Sequence, residues 1–490
     1  MTGPALAALL ERLHSQSPAE LLQLGWCDLH GTLRGKTLVL GADDASRRAV
    51  AAVLGQGLGM VGTLLLKDTA DRTAWPVFET GVEAGPSLQR LAGASNVLLH
   101  ADPDSLQRLP WAPHVAWLRG QLQFAGGVAV PLDTRWVLQQ ALAALAAAGY
   151  QLTIGLEVEF HIHRLVPGDD GLGVDDAGWP PRPPAVRHSH AGYRLLGLEQ
   201  ADALDEPLAI VRRTAQALAL PLRSLEIEFG PSQVEAVFDA QDALAAADAA
   251  VLFRNGVRQA LRRAGWLASF VCRPPLPHSV ASGWHLHQSL RTPKGGNAFV
   301  RPAGLVQTDA GDAAQVLSPV GVHWLAGLQA HAQGMAALCA PSLVGASRFA
   351  GSAMAPQAAV WGFDNRGAML RVVGQAGDAD TRIENRLPEP MANPYLTIAS
   401  QVWAGLDGLQ RGLHPGPACT TPYADLSSAR RLPQSLAQAL DALAADPVLQ
   451  RGLGTELAAV FNAIKRQEIS RFEAAEDQAD WLAREYFGRY

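Results

Sequence analysis

Glu157 and Glu159 lie in the stretch Gly155-Leu-Glu157-Val-Glu159-Phe160, where Ile154, Phe160 and Ile162 give strand character. On a strand, positions i and i+2 share a face, roughly 6.6 Å apart. Both carboxylates therefore face one space, and at low dielectric they need a cation or a shared proton between them. A divalent metal ion is the natural partner. In Glu226-Ile-Glu228-Phe-Gly230-Pro231-Ser-Gln-Val-Glu235, Glu226 and Glu228 share a face and the Gly-Pro turn brings Glu235 back to it. The apolar neighbours Leu225, Ile227, Phe229, Val234 and Val237 point to burial with a partner. His285 and His287 stand at i, i+2 in Ser282-Gly-Trp-His-Leu-His-Gln-Ser289, which suits a metal, a phosphate or a structural histidine pair. Asn365-Arg366 to Arg371 and Thr381-Arg382-Ile-Glu384-Asn-Arg386 add arginines, which form structural ion pairs and are also the preferred fork for carboxylate and phosphate. Glutamate and histidine suit Mg²⁺ or Mn²⁺, and the arginines suit a nucleotide triphosphate and a small carboxylate. The combined expectation is a metal–nucleotide site with an acidic substrate.

The elements that must position these residues follow from periodicity and punctuation. Residues 133–147 read as a helix packed beside the Glu157 strand, with Gly149 ending the Ala-rich run. Residues 164–194, rich in Pro, Gly, Asp and His, read as a long surface loop over a site. Residues 205–219 and 240–264 read as helices, 225–238 as a hairpin, and 266–272 and 283–290 as strands joined by the Pro-rich segment 274–277. One helix is expected around 321–338, ending before Pro341. From Trp361 come two Arg-bearing strand-like stretches and then a largely helical C-terminal third. Upstream, residues 5–14 read as a short amphipathic helix, and Leu21 to Leu40 as two β-rich runs around Asp28-Leu-His-Gly31. The Pro-marked segment from Asp102 to Trp111 is the candidate boundary between a small N-terminal domain, residues 15–110, and the rest, residues 111–490.

A chain of 490 residues, 48% hydrophobic, can bury a large core in more than one domain. The net charge of −6 provides no basic stripe for nucleic acid. Cys27, Cys272, Cys339 and Cys419 are scattered without metal or disulfide spacing, which fits a reduced cytoplasm, and the N-terminus has no secretory core. The uncharged stretches 49–66 and 313–347 are interrupted by Gly, Gln, Pro and His, so buried elements are expected there rather than membrane spans.

The ordered set Asp28-x-x-Gly31, Glu157-x-Glu159, Glu228-x-Gly-Pro-x-Gln-x-Glu235, Gly283-x-His285-x-His287-x-Ser289, Asn365-Arg-x-Ala-x-x-Arg371 and Arg382-x-Glu384-x-Arg386 resembles glutamine synthetase. The resemblance runs from about residue 20 to the C-terminus. It implies an α+β chain: a small β-grasp N-terminal domain and a large catalytic domain whose curved antiparallel sheet, flanked by helices, holds two divalent cations. By motif, Glu159, Glu228 and Glu235 match the ligands of one ion, and Glu157, His285 and Glu384 those of the other. His287, Ser289, Arg371 and Arg382 match positions around ATP, and Arg348, Arg366 and Arg386 those that hold glutamate and stabilise phosphoryl transfer. The resemblance further implies a γ-glutamyl phosphate intermediate, captured by an amine. It also implies a homo-oligomer of stacked rings, with active sites between neighbouring subunits and Asp28 acting in the adjacent one.

Departures from the family pattern fall around the amine. The family's Asn-Gly is Val280-Ala281, its Asn-Ser-Tyr-Lys-Arg run keeps only Arg348, and its flap glutamate is Met354 in Ala350-Gly-Ser-Ala-Met354-Ala-Pro356. A carboxylate at the flap stabilises ammonium and takes its proton; methionine offers flexible apolar contact instead. The expected activity is thus an ATP-dependent ligation of glutamate's γ-carboxylate to an organic, hydrophobic amine. The alternatives are an ammonia-assimilating glutamine synthetase and a non-catalytic structural or sensor relative.

Overall fold

The computed structural model describes residues 4–15, 19–41, 43–79, 85–169, 171–302, 309, 311–349, 354–424 and 429–490. Two sheets organise the chain. The first contains β1 (Leu21–Cys27), β2 (Leu33–Val39), β3 (Leu58–Val61), β4 (Asn96–Ala101), β5 (Gln107–Leu109), β6 (Ala112–Phe124) and β7 (Val128–Ala129). Its order is β2-β1-β6-β4-β3, with β5 and β7 also paired to β6 and the β1–β6 pairing parallel. Its long strand β6 lies on the C-terminal side of the boundary expected at residues 110/111. The edge strand β2 is largely exposed and carries Arg34 and Lys36, charges that discourage pairing with another chain.

The second sheet contains β8 (Gln151–Leu165), β9 (Val186–His188), β10 (Leu222–Ile227), β11 (Gln233–Asp242), β12 (Trp266–Ser269), β13 (Trp284–Arg291), β14 (Trp361–Phe363), β15 (Leu370–Val373) and β16 (Arg382–Asn385). The order is β10-β11-β8-β13-β16-β15-β14, with β9 and β12 also on β8, and every pairing except β14–β15 is antiparallel. The α+β expectation is met: two largely antiparallel sheets with helices packed on them.

Alternation along β8 decides which face becomes core. Leu152, Ile154, Leu156, Phe160 and Ile162 are buried beneath the helix Ala243–Arg263. Phe253 of that helix meets Phe160 and Phe238 edge-on, with ring centroids 5.8 and 4.9 Å apart. Each such ring, fully buried, stabilises the fold by about 1.5–3 kcal/mol. The opposite face is left for Gly155, Glu157 and Glu159. The helix Thr134–Ala147 begins where Asp133 accepts the N–H groups of Arg135 and Trp136. Gly31 adopts φ +75° in the β1–β2 loop, and the Arg254 guanidinium approaches so closely that a Cβ there would clash.

Two sequence expectations are corrected. The helix expected around 321–338 is two helices, Pro319–Ala330 and Ala332–Cys339. They meet at His331, whose ring lies 2.6 Å from an Asp446 oxygen and 3.1 Å from one of Asp407. The strand expected over 266–272 ends at Ser269, whereas the two Arg-bearing strands expected after Trp361 are β15 and β16, preceded by the short β14. Among the described residues, no helix is long and apolar enough to cross a membrane.

Candidate metal and nucleotide site

Register builds the site. Residues directly opposite each other on paired strands point to one face. Glu235 of β11 pairs with Glu226 of β10 on one side and with Glu159 of β8 on the other. Glu157 pairs with His285 of β13, and His287 pairs with Glu384 of β16, which pairs with Arg371 of β15. Period-2 alternation on five strands therefore collects carboxylates and imidazoles on the face turned away from the Phe253 helix.

Donor atoms of Glu157, His285 and Glu384 lie within 4.8 Å of one another, and so do those of Glu159, Glu235 and His285. His285 is central. Its Nδ1 is 3.3 Å from Glu157 and 3.9 Å from both Glu235 and Glu384, while Nε2 is 3.8 Å from Glu159. The structure brings Glu228 into neither group; its carboxylate accepts the Phe229 N–H at 3.1 Å.

Burial and crowding perturb every member. Burial, then the Glu228 charge, raises Glu159 to about 7, against the opposing pull of Arg348. Burial and the charges of Glu159, Glu157 and Glu228 push Glu235 up to about 10. Burial also opposes ionisation of Glu157 and Glu384. Hydrogen bonds from His285 and His287 nevertheless hold Glu157 well below the carboxylate range, and Arg386 with His285 brings Glu384 to about 2. Burial and the Arg386 charge lower His285 to about 4. The raised Glu159 and Glu235 and the ionised Glu157 and Glu384 around a neutral imidazole fit divalent cations in donor type, spacing and electrostatics, since a dication would replace the protons retained by the first pair.

Gln233 is the residue that motif reasoning left without a role. Its buried amide donates to Glu159 Oε2 at 2.9 Å and to Ser282 Oγ at 3.1 Å, while its oxygen accepts the Gly230 N–H at 2.9 Å. The Gly283 N–H donates to the same Glu159 oxygen at 2.9 Å. The one available signal was position: Gln233 alternates with Glu235 on β11.

The expected nucleotide residues line a neighbouring cavity of 350 Å³. His287, Ser289 and Arg382 are there together with Arg223 and Asn297, which the motifs did not single out. Arg382 Nε donates to His287 Nδ1 at 3.1 Å, and His287 Nε2 lies 2.9 Å from Glu157, so cavity and carboxylate cluster share an edge. Arg371 stands outside this cavity, held between Glu384 and Asp364 at 2.9 Å each.

Arg386 is buried, donates to the Glu384 carboxylate and has an Nε–H without a partner among the described residues. Arg348 spends its guanidinium on the backbone carbonyls of Arg386, Leu387 and Pro388, at 2.8–3.0 Å. It braces the chain leaving β16. Arg366 is exposed on the turn between β14 and β15. Val280 packs against Gly230, where an added Cβ would lie 3.0 Å from it, and the Ala281 carbonyl accepts from Gln233 at 3.4 Å. Met354 is 52% exposed at φ +71°; flap residues 350–353 lie outside the described residues. Asp28 is buried in the β1–β2 loop, away from the cluster. It accepts the His30 and Thr32 N–H groups at 3.0 and 2.9 Å and Arg34 Nε at 2.6 Å.

A family model described as "Glutamine synthetase, catalytic domain" matches residues 131–484. The chain is 34% identical to a gamma-glutamylanilide synthase of Acinetobacter sp. over 96% of its own length and 93% of that protein. It is 28% identical to a gamma-glutamylethanolamide synthetase of Streptomyces coelicolor, covering 98% of this chain and 96% of that one. A glutamine synthetase of Thermus thermophilus is 30% identical over 81% of this chain and 86% of its own. A solved GmaS/ADP complex superposes with a TM-score of 0.75 at 27% identity, covering 97% and 98% of the two chains.

Proposed function

The chain belongs to the glutamine synthetase family, and on that premise we propose that it is an ATP-dependent ligase joining the γ-carboxylate of glutamate to a hydrophobic organic amine. The observation that carries the amine reading is Met354, half exposed and tied through its carbonyl to Arg386, at the position where the family places a carboxylate. Full-length similarity to ligases named for anilide and ethanolamide products supports the same reading.

Glu159 and Glu235, with Glu228 approaching from the β10 turn, would hold one Mg²⁺ or Mn²⁺. Glu157, His285 and Glu384 would hold the other. Such ions neutralise and align the phosphates of ATP. His287, Ser289 and Arg382 bind the nucleotide in the 350 Å³ cavity, while Arg371 orients Glu384. Arg386 and Arg366 clamp the acid substrate, and Arg348 keeps Arg386 in place by holding the backbone beside it. Glutamate's side-chain carboxylate attacks the γ-phosphorus and expels ADP, and the amine then displaces phosphate from γ-glutamyl phosphate. Val280 and Met354 form the apolar wall that receives the amine. An amine that is neutral at working pH needs no carboxylate to deprotonate it before attack, and the one N–H proton lost as the amide forms leaves with the displaced phosphate.

The first sheet is read as a β-grasp-like N-terminal domain whose boundary with the catalytic domain falls near residue 130, after β7. Asp28, remote from its own chain's cluster, completes the site of a neighbouring subunit in a ring-shaped homo-oligomer. Four unpaired cysteines agree with a reducing cytoplasm. Phosphate release requiring ATP, glutamate and a member of an amine panel tests the proposal; ATP turnover independent of any amine would contradict it.

A further inference from the structure

We propose that a second, non-catalytic site binds a small polyanion with an apolar body, in a cavity between the helix Ala243–Arg263, residues 171–184 and the C-terminal residues 484–489. The cavity measures 490 Å³ and shares no lining residue with the nucleotide cavity. Arg182, Arg258, Arg262, Arg263, Arg484 and Arg489 line it, and no Asp or Glu does. In a chain of net charge −6, six arginines around one cavity with no acid on its lining favour an anion there.

Among them Arg182 pairs with Asp169 and Asp176, and Arg484 with Asp480 at 2.6 Å. Arg258, Arg263 and Arg489 have no carboxylate partner among the described residues. Arg258 donates to the Gly488 carbonyl at 2.8 Å, and its buried Nε–H has no partner among the described residues. Arg489 donates to the Thr69 carbonyl. Burial, then the charge of Arg254, lowers Arg258 to about 10, which marks a position where positive charge is crowded.

The remaining wall is apolar, with Leu172, Pro183, Leu267 and Phe487. Inorganic phosphate would leave that wall uncovered, whereas the volume lies within the range of about 300–1,000 Å³ used for organic ligands. Guanidinium forks match phosphate and carboxylate alike. The class is therefore a nucleotide-sized anion carrying either group. Asn255, also on the wall, accepts the Leu33 N–H at 3.4 Å, so the ligand would sit one residue's reach from the loop that carries Asp28.

Equilibrium dialysis of the full-length protein with ADP and with benzene-1,3,5-tricarboxylate separates the two anion types. The exposed change Arg263→Glu, alone and with Arg258→Gln, keeps the test independent of the catalytic site, and circular dichroism checks folding. The expected result is ADP bound in excess of one equivalent per subunit, or one equivalent of the tricarboxylate, with that ADP excess or that tricarboxylate binding weakened tenfold or more by Arg263→Glu while one equivalent of ADP is retained. At most one equivalent of ADP together with no tricarboxylate binding, or binding of either that is indifferent to Arg263→Glu, overturns the proposal. An oligomer that dissociates on Arg263→Glu, with neither a second equivalent of ADP nor any tricarboxylate bound by the wild type, also overturns it and assigns the arginines to a subunit contact.

Discussion

Arg386 donates from Nη2 to the backbone carbonyl of Met354 at 3.3 Å, so the arginine assigned to the acid substrate also holds the residue assigned to the amine. The same guanidinium contacts Glu384, which faces His285 and accepts from Arg371 at 2.9 Å. The proposed metal, acid and amine positions are joined through one side chain. Arg386→Lys retains the charge but not the fork. It is expected to lower kcat/KM for glutamate about 100-fold, from lost hydrogen bonds to charged groups worth about 1.5–3 kcal/mol each. Unchanged kcat/KM would make Arg386 structural.

Glu159 is oriented by Gln233 and by the Gly283 N–H, at 2.9 Å each. Glu159→Ala should abolish turnover. Gln233→Leu should keep the fold and weaken divalent-metal affinity by about 10–100-fold, the usual cost of removing a partner that orients a ligand. Titration calorimetry with Mn²⁺ reads this directly, and wild-type affinity in Gln233→Leu would remove Glu159 from the metal site.

A pH effect is expected far from the chemistry. Burial opposes the charging of His331, but Asp446 and Asp407 outweigh it and raise its pKa above the ordinary value of 6.5. The stabilisation from this pair of contacts is thus complete below the unfolded value and lost as pH rises through the folded one. Urea midpoints of the wild type and His331→Gln should differ most near pH 6 and converge towards pH 9. A gap that is constant with pH would mean that His331 contributes by packing alone.

What was readable beforehand follows from what a local pattern encodes. Glu157, Glu159, Glu235, His285 and Glu384 were legible because period-2 alternation gives each strand its own face, and motif order sets which strands meet. Gln233 has no role legible in its motif, since an amide shows its purpose only once the Glu159 oxygen stands beside it. The backbone-bracing role of Arg348 depends on carbonyls 38 to 40 residues away. The break at His331 coincides with contacts to Asp407 and Asp446, 76 and 115 residues later, which no local periodicity contains. The arginine cavity joins residues 182, 258–263 and 484–489, a convergence that exists only in the folded chain.

The central claim is the exchange of ammonium for a hydrophobic amine. Ammonium is small and strongly hydrated and needs fixed negative charge for capture, whereas an alkyl- or arylamine gains about 25 cal/mol per Å² of apolar surface removed from water. With Met354 at the flap position and Val280 against Gly230, the proposed amine site favours the second. The decisive measurement is a competition assay at fixed pH, with ATP, glutamate, ammonium and a panel of amines, counting glutamine against γ-glutamylamides by mass. At least one hydrophobic amine should outcompete ammonium by tenfold or more in kcat/KM, and Met354→Glu should move the ratio back towards ammonium. Glutamine dominating against every amine with the wild-type enzyme would contradict the account and leave an ordinary glutamine synthetase.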